Sequence, residues 1–153
     1  MKIKFLLTTL VLFSCCISAF SQTEEADVKA VIISLFDGMR AKNSEQILNA
    51  FSADAIMQTI QDKPEGTTIG SNSVADFAKS IGSVPEGTSL DERITDYQIN
   101  VDGNMATAWT PYQFYLNGNF SHCGVNSFQL VKLEGKWKIV YIIDTRRKEA
   151  CIE

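Results

Sequence analysis

The sequence predicts an α+β domain in which N-terminal helices pack on one face of a strongly bent antiparallel sheet. Three observations carry this. Helical periodicity dominates up to about Ile81, and the alternating period of strands takes over from Leu90. Three dipeptides of the favoured hairpin type, Asp102-Gly103, Asn117-Gly118 and Glu134-Gly135, divide the second half into a four-stranded meander. Ile94 is out of phase with the alternating Tyr97, Ile99 and Val101, which places a bulge, and therefore a bend, near Thr95–Asp96. Helices first and strands after is the order of an α+β domain, not of a parallel α/β one.

The chain has 153 residues, enough for one domain, and its first residues read as an export signal. Lys2 and Lys4 give a basic start, Phe5 to Phe13 an apolar run too short to span a bilayer, and Ser18-Ala19-Phe20-Ser21 small residues ahead of Gln22. Residues 1–21 are thus expected to be a signal peptide cleaved after Ser21, leaving a domain over 22–153 that is periplasmic or secreted. Leu12-Phe13-Ser14-Cys15 offers a second reading, a lipobox with a lipid anchor on Cys15. It fits less well, because Phe13 departs from that pattern and Cys16 to Phe20 stays largely apolar. No later run is long enough for a transmembrane helix.

Removing residues 1–21 takes away two lysines and no acid, moving the formal charge from −4 to −6. No basic cluster exceeds Arg146-Arg147-Lys148, so nucleic acid is not an expected partner. Cys15 and Cys16 leave with the signal, and Cys123 and Cys151 remain. Two thiols in an oxidising compartment invite one disulfide.

Helix one is expected over about Glu24 to Lys42, capped by Thr23, with Val28, Val31, Ile32, Leu35, Phe36 and Met39 on one apolar stripe. Asn43 ends it, and Ser44 caps a short second helix carrying Ile47, Leu48 and Phe51. Ala55–Gln61 reads as a short strand, and Gln61 to Asn72, rich in Pro, Gly and Thr, as a loop. Ser73 starts a third helix with Val74, Phe77, Ala78 and Ile81 on one side and Gly82 as its C′ residue.

This order of elements resembles the NTF2-like, or SnoaL-like, superfamily with its cystatin-like cone. Phe51-Ser-Ala-Asp-Ala is similar to the turn leading into that superfamily's first strand, and Gly135-Lys-Trp-Lys-Ile to its last-strand opening. Trp109–Tyr115 (WTPYQFY), Ser121-His-Cys-Gly-Val and Thr145-Arg-Arg-Lys-Glu-Ala-Cys resemble its exported bacterial "putative lumazine-binding" branch. The resemblance implies a pocket between helices and curved sheet, and pairing of two copies through the convex sheet. It assigns no reaction, because superfamily members include isomerases, dehydratases, cyclases, hydrolases and binding modules.

The hairpin at Glu134-Gly135 proposes a register. If Leu133 pairs with Lys136, one face holds His122, Asn126, Phe128, Leu130, Trp137, Ile139, Tyr141 and Ile143. The other holds Ser121, Cys123, Ser127, Gln129, Lys136, Lys138, Asp144 and Arg146. The first face is more apolar and should look into the cone, with His122 and Asn126 as its polar groups, the pattern of a ligand pocket. Pro111 has no backbone donor and can flip the facing of its strand, so either Trp109 and Gln113 or Tyr112 and Phe114 join His122. Trp109 below the proline and Tyr112 above it are the expected pair. The expected ligand-binding residues are then Trp109, Tyr112, His122, Asn126, Phe128 and Tyr141.

His122 suits proton transfer or hydrogen bonding to a ligand. The competing reading is a histidine that bonds its neighbours near the rim without chemistry. Asp144, on the opposite face, is disfavoured as its partner. In this register Cys123 lies opposite Arg146, so a Cys123–Cys151 bridge needs residues 148–151 to fold back. One histidine and no acidic cluster at ligand spacing predict no metal site, and the absence of GxGxxG, GxSxG and P-loop patterns predicts no nucleotide cofactor. The expected function is binding of an apolar or aromatic small molecule, or association. The alternative is a cofactor-free isomerase or dehydratase with His122 as general acid or base.

Overall fold

The computed structural model describes residues 24–152. The predicted signal peptide, the cleavage position at Ser21, the Cys15 reading and the Thr23 cap lie outside those residues. Among the described residues, no helix is long and apolar enough to cross a membrane.

Helix α1 occupies residues 24–41, and Val28, Ile32, Leu35, Phe36 and Met39 form its buried stripe. Helix α2 is Ser44–Ala50. Its cap is Asn43, whose side chain accepts from the Gln46 N–H at 3.0 Å. Ser44, the expected cap, instead donates its hydroxyl to the Ala78 carbonyl of helix α3, Val74–Gly82, at 2.8 Å. Gly82 is the last residue of α3 and not a left-handed cap. A Cβ there would meet the Ser44 hydroxyl at 2.1 Å, so the glycine serves the close approach of α2 and α3.

Seven strands form one sheet: β1 Phe51–Lys63, β2 Gly66–Asn72, β3 Leu90–Ile94, β4 Gln98–Asp102, β5 Met105–Leu116, β6 Asn119–Leu133 and β7 Lys136–Asp144. The order is β2-β1-β7-β6-β5-β3, with β4 also on β5. Helices on a curved, open sheet are the predicted α+β architecture. Two features extend it. The stretch expected as a loop contains β2, which pairs with β1 across Pro64-Glu65. Strand β1 runs parallel to β7, so the sheet is mixed and not purely antiparallel.

The predicted bulge is present. Ile94 pairs with Tyr112 and Gln98 with Trp109, leaving three residues opposite two. The extra residue keeps Ile94 and Ile99 on the same inward face despite their odd spacing. Pro111 lies opposite this break and pairs with Val125 in unbroken register. Thr95 N–H donates to the Pro111 carbonyl at 2.9 Å, on the side where the missing proline N–H would also point. The ladder is already irregular there, so proline disturbs nothing and no facing flip follows.

Strand β7 departs from the expected register. Leu133 pairs with Lys136 and Leu130 with Ile139, but Gln129 then pairs with Tyr141, so Val140 is an extra residue. Beyond it the faces exchange: Ile142 and Asp144 turn inward, while Tyr141 and Ile143 turn outward. Residues 145–147 continue beside β6, and Cys123 exchanges both backbone hydrogen bonds with Arg147, one residue beyond its expected partner. Cys151 folds back to bond Cys123, with Cα atoms 5.8 Å apart.

Helix α1 is latched to the sheet at its N-terminus. Glu24 accepts from Lys132 Nζ at 2.7 and 2.8 Å and from the buried Trp137 indole at 2.9 Å. The hydrogen bonds from Lys132 and Trp137 favour the carboxylate and hold its pKa below the ordinary glutamate value. Its contribution to stability is therefore complete at neutral pH and is lost as pH falls through the lowered value. Glu24→Gln should lower the urea midpoint at pH 7, and the gap from wild type should close as the pH drops well below about 4.5. Equal midpoints at pH 7 would contradict the latch.

Candidate functional site

A cavity of about 460 Å³ lies between the helices and the inner face of the sheet. Leu35, Phe36 and Met39 of α1, Phe77 and Ile81 of α3, and Met57, Phe114 and Ile142 of the sheet give it apolar walls. The volume falls in the ordinary range of ligand pockets, about 300–1,000 Å³. Gln58, Gln61, Ser71 and Asn72 of β1 and β2 add polar lining, and the charged groups Glu92, Asp144 and Arg146 gather with Asn126.

Three inward strand positions build that cluster. Glu92 on β3 sits between Leu90 and Ile94 in the alternation, so it faces the cone with them. Asn126 on β6 donates Nδ2 to Glu92 Oε1 at 2.8 Å. Asp144, paired with Asn126, closes β7 and is buried. Arg146 Nε donates to Asp144 Oδ2 at 2.8 Å. Tyr112 reaches the same place because its strand partner is Gly124. A Cβ on Gly124 would lie 1.8 Å from the Thr145 carbonyl and 2.9 Å from the Tyr112 ring. Its absence lets the ring cross β6, where the hydroxyl lies 3.0 Å from the Thr145 carbonyl and 3.3 Å from Asp144 Oδ2.

Electrostatics follow from this enclosure. Desolvation pushes Glu92 from the ordinary 4.5 up to about 7; the Asn126 hydrogen bond opposes that rise, and the Asp144 charge adds to it. Burial, then the charges of Glu92 and Asp144, raise the Tyr112 phenol, so it remains a neutral donor. Burial and the Arg146 charge lower His122, leaving it a neutral imidazole at pH 7.

A family model described as "Putative lumazine-binding" matches residues 23–142, from the first helix nearly to the end of β7. The chain belongs to this family. No curated protein matches the sequence. Among solved structures, an NTF2-like protein of unknown function from Shewanella baltica OS155 is 19% identical, with a TM-score of 0.62, 83% of this chain and 96% of that chain covered. A protein of unknown function from Mycobacterium tuberculosis is 15% identical with a TM-score of 0.68, covering 87% of this chain and 77% of that one. One described as a putative dehydratase of the NTF2-like family, from Streptomyces avermitilis, is 14% identical with a TM-score of 0.64, covering 84% and 99%. At these identities the likeness shows the NTF2-like fold.

Within this NTF2-like domain, Tyr112, His122 and Asn126 line the cavity and the other three expected ligand residues do not. Trp109 lies on the outer face, 47% exposed, because the strand does not flip at Pro111. Tyr141 was turned outward by the Val140 bulge and donates its hydroxyl to Gln58 Oε1 at 2.6 Å. Phe128 faces inward but is fully buried, edge-on to Phe36, and does not reach the cavity. His122 Nδ1 bonds Ser121 Oγ at 3.1 Å, and its ring contacts those of Tyr112 and Phe114. Asp144, expected on the far face, is on the cone face; its hydrogen bonds go to Tyr112 and Arg146, and none links it to His122 among the described residues.

Glu92 was missed. The Leu90-Asp91-Glu92-Arg93-Ile94 run reads as a charged edge, yet its alternation alone places Glu92 on the apolar side. On α1, Arg40 binds Asp37 and donates to the Glu92 carbonyl oxygen at the surface.

The unfolded chain gives up the Glu92 proton near 4.5, and the folded protein holds it to about 7. The fold therefore loses stability as pH rises through that window, by up to about 3 kcal/mol. Glu92→Gln, which keeps an oxygen for Asn126, should flatten this loss and unfold at higher urea than wild type at pH 8. A variant less stable than wild type at pH 8 would show that the carboxylate is well solvated.

Proposed function

We propose that the domain binds a small apolar or aromatic molecule in the cone, with the molecule's polar group held at the Glu92–Asn126–Asp144 end. The observation that supports this is a ligand-sized cavity with largely apolar walls and a cluster of charged groups at the Glu92–Asn126–Asp144 end. Membership of a family described as "Putative lumazine-binding" accords with a binding role. We further propose that the protein is exported with residues 1–21 removed, in keeping with the Cys123–Cys151 bond. Two copies pair through the outer sheet face, where Met105 and Trp109 are exposed.

A second reading is favoured by one feature. A carboxyl poised near pH 7 inside an apolar cavity suits proton transfer, so an isomerase or dehydratase would use Glu92, and not His122, as its acid or base. His122 has no carboxylate partner to orient it among the described residues.

Native mass spectrometry of protein from its own host tests these readings together. The expected spectrum shows a dimer of chains starting at Gln22, each two hydrogens lighter than the reduced chain, carrying a small-molecule adduct. Phe77→Trp, which fills the cavity, should lose the adduct and keep the other features. An adduct retained in that variant would place the ligand elsewhere. Turnover of a cyclic enone by wild type and not by Glu92→Gln would establish the second reading.

A further inference from the structure

The polar end of the cavity is unbalanced in its hydrogen-bonding groups. Its internal bonds use one carboxylate oxygen of Glu92, taken by Asn126 Nδ2, and one of Asp144, shared by Arg146 Nε and the Tyr112 hydroxyl. Once Glu92 is ionised, above about pH 7, Glu92 Oε2, Asp144 Oδ1 and Asn126 Oδ1 have no donor among the described residues. None of these is a sealed, unsatisfied atom; among the described residues that condition belongs to Thr59 Oγ1 alone. Thr59 pairs with Asp144 on the neighbouring strand and lines the same cavity. Three free acceptors and an unpartnered hydroxyl therefore border one space.

The donors at this end are few. Tyr112 directs its single hydroxyl hydrogen at Thr145 and Asp144, and Asn126 has one amide hydrogen on Glu92. What remains is the second Asn126 amide hydrogen, the outer part of the Arg146 guanidinium, on a side chain 59% exposed at the cavity's edge, and one nitrogen of a neutral His122. Two carboxyl groups share the Arg146 guanidinium, and Arg40, engaged with Asp37 at the surface, acts on Glu92 only as a nearby charge. Acceptors that a ligand cuts off from water are costly unless it replaces the lost donors, so the complementary ligand brings donors.

We propose that the cone selects an apolar or aromatic molecule bearing a protonated amine or the N–H edge of a nitrogen heterocycle, and seats that group between Glu92 and Asp144. This rests on the cone being a ligand pocket and adds the class of molecule it takes. A carboxylate or phosphate ligand meets two acids there and is disfavoured.

A pH dependence accompanies this choice. The groups facing the Glu92 carboxyl are Asn126 of β6, Tyr112 of β5, Asp144 and Arg146 at the end of β7, and Arg40 from α1. Seating a cation favours the Glu92 carboxylate, so amine binding releases a proton near neutrality and tightens as pH rises from 6 to 8.

The test is titration calorimetry with three probes on one skeleton: naphthylmethylamine, naphthylmethanol and naphthoate, against the mature protein at pH 6 and pH 8. The amine should bind about tenfold or more tightly than the alcohol at pH 8, with naphthoate weakest. Glu92→Gln should abolish the preference for amine over alcohol while retaining alcohol binding, and Phe77→Trp should abolish both. Equal binding of amine and alcohol, or strongest binding of naphthoate, would overturn the donor assignment and leave the pocket standing. Amine binding undiminished in Phe77→Trp would also overturn it. No binding of any probe by wild type would remove the pocket reading and this one together.

Discussion

One residue too many in β7 decides what the cavity contains. Without the Val140 bulge, strict alternation would carry Tyr141 and Ile143 inward and turn Ile142 and Asp144 to the outer face. The cone would then keep Glu92 but lose Asp144, and Tyr141 would join its wall. With the bulge, Asp144 stands beside Asn126, and Arg146, two residues on, donates to the Asp144 carboxylate. Gly124 gives Tyr112 room to cross β6. Register thus supplies the Asp144 side of the polar end, and Gly124 makes room for the Tyr112 side.

That end works against the stability of the fold. A carboxyl held neutral by desolvation until about pH 7 is a group that an isosteric amide could replace with gain. The Glu24 latch, by contrast, is a carboxylate fully supplied with donors at the N-terminus of α1. The two acids show how environment separates roles: one is satisfied within the protein, and the other has an oxygen left over. Retaining an under-satisfied acid in an apolar cone makes sense where a ligand completes it.

Much of the fold was legible because it rests on local signals. The α1 stripe, the hairpin turns and the bulge at residues 95–97 all follow from spacing within a few residues. The β1–β2 hairpin was not, because Gly66–Asn72 carries only one large apolar residue, Ile69, and reads as loop. Parallel pairing of β1 with β7 joins segments about eighty residues apart and leaves no local trace. Trp109 and Tyr141 face away from the cavity through register, whereas Phe128 faces inward but is packed in the core. Ile139-Val140-Tyr141-Ile142-Ile143 is apolar throughout, so either phase buries an apolar side chain and the bulge is invisible. Pro111 suggested a flip because the break across from it, which absorbs its missing donor, comes from another strand. Glu92 was readable from alternation, but a charged residue is ordinarily assigned to solvent.

The central claim is that the cone encloses a desolvated acid. Carbon-13 NMR of side-chain carboxyls, titrated from pH 4 to 9 with Glu92 assigned by comparison to Glu92→Gln, measures it directly. The account predicts a midpoint for Glu92 near 7, well above those of the exposed glutamates. A Glu92 midpoint between 4 and 5 would mean that water solvates the carboxyl, and the polar end described here would not exist as a ligand-completing site.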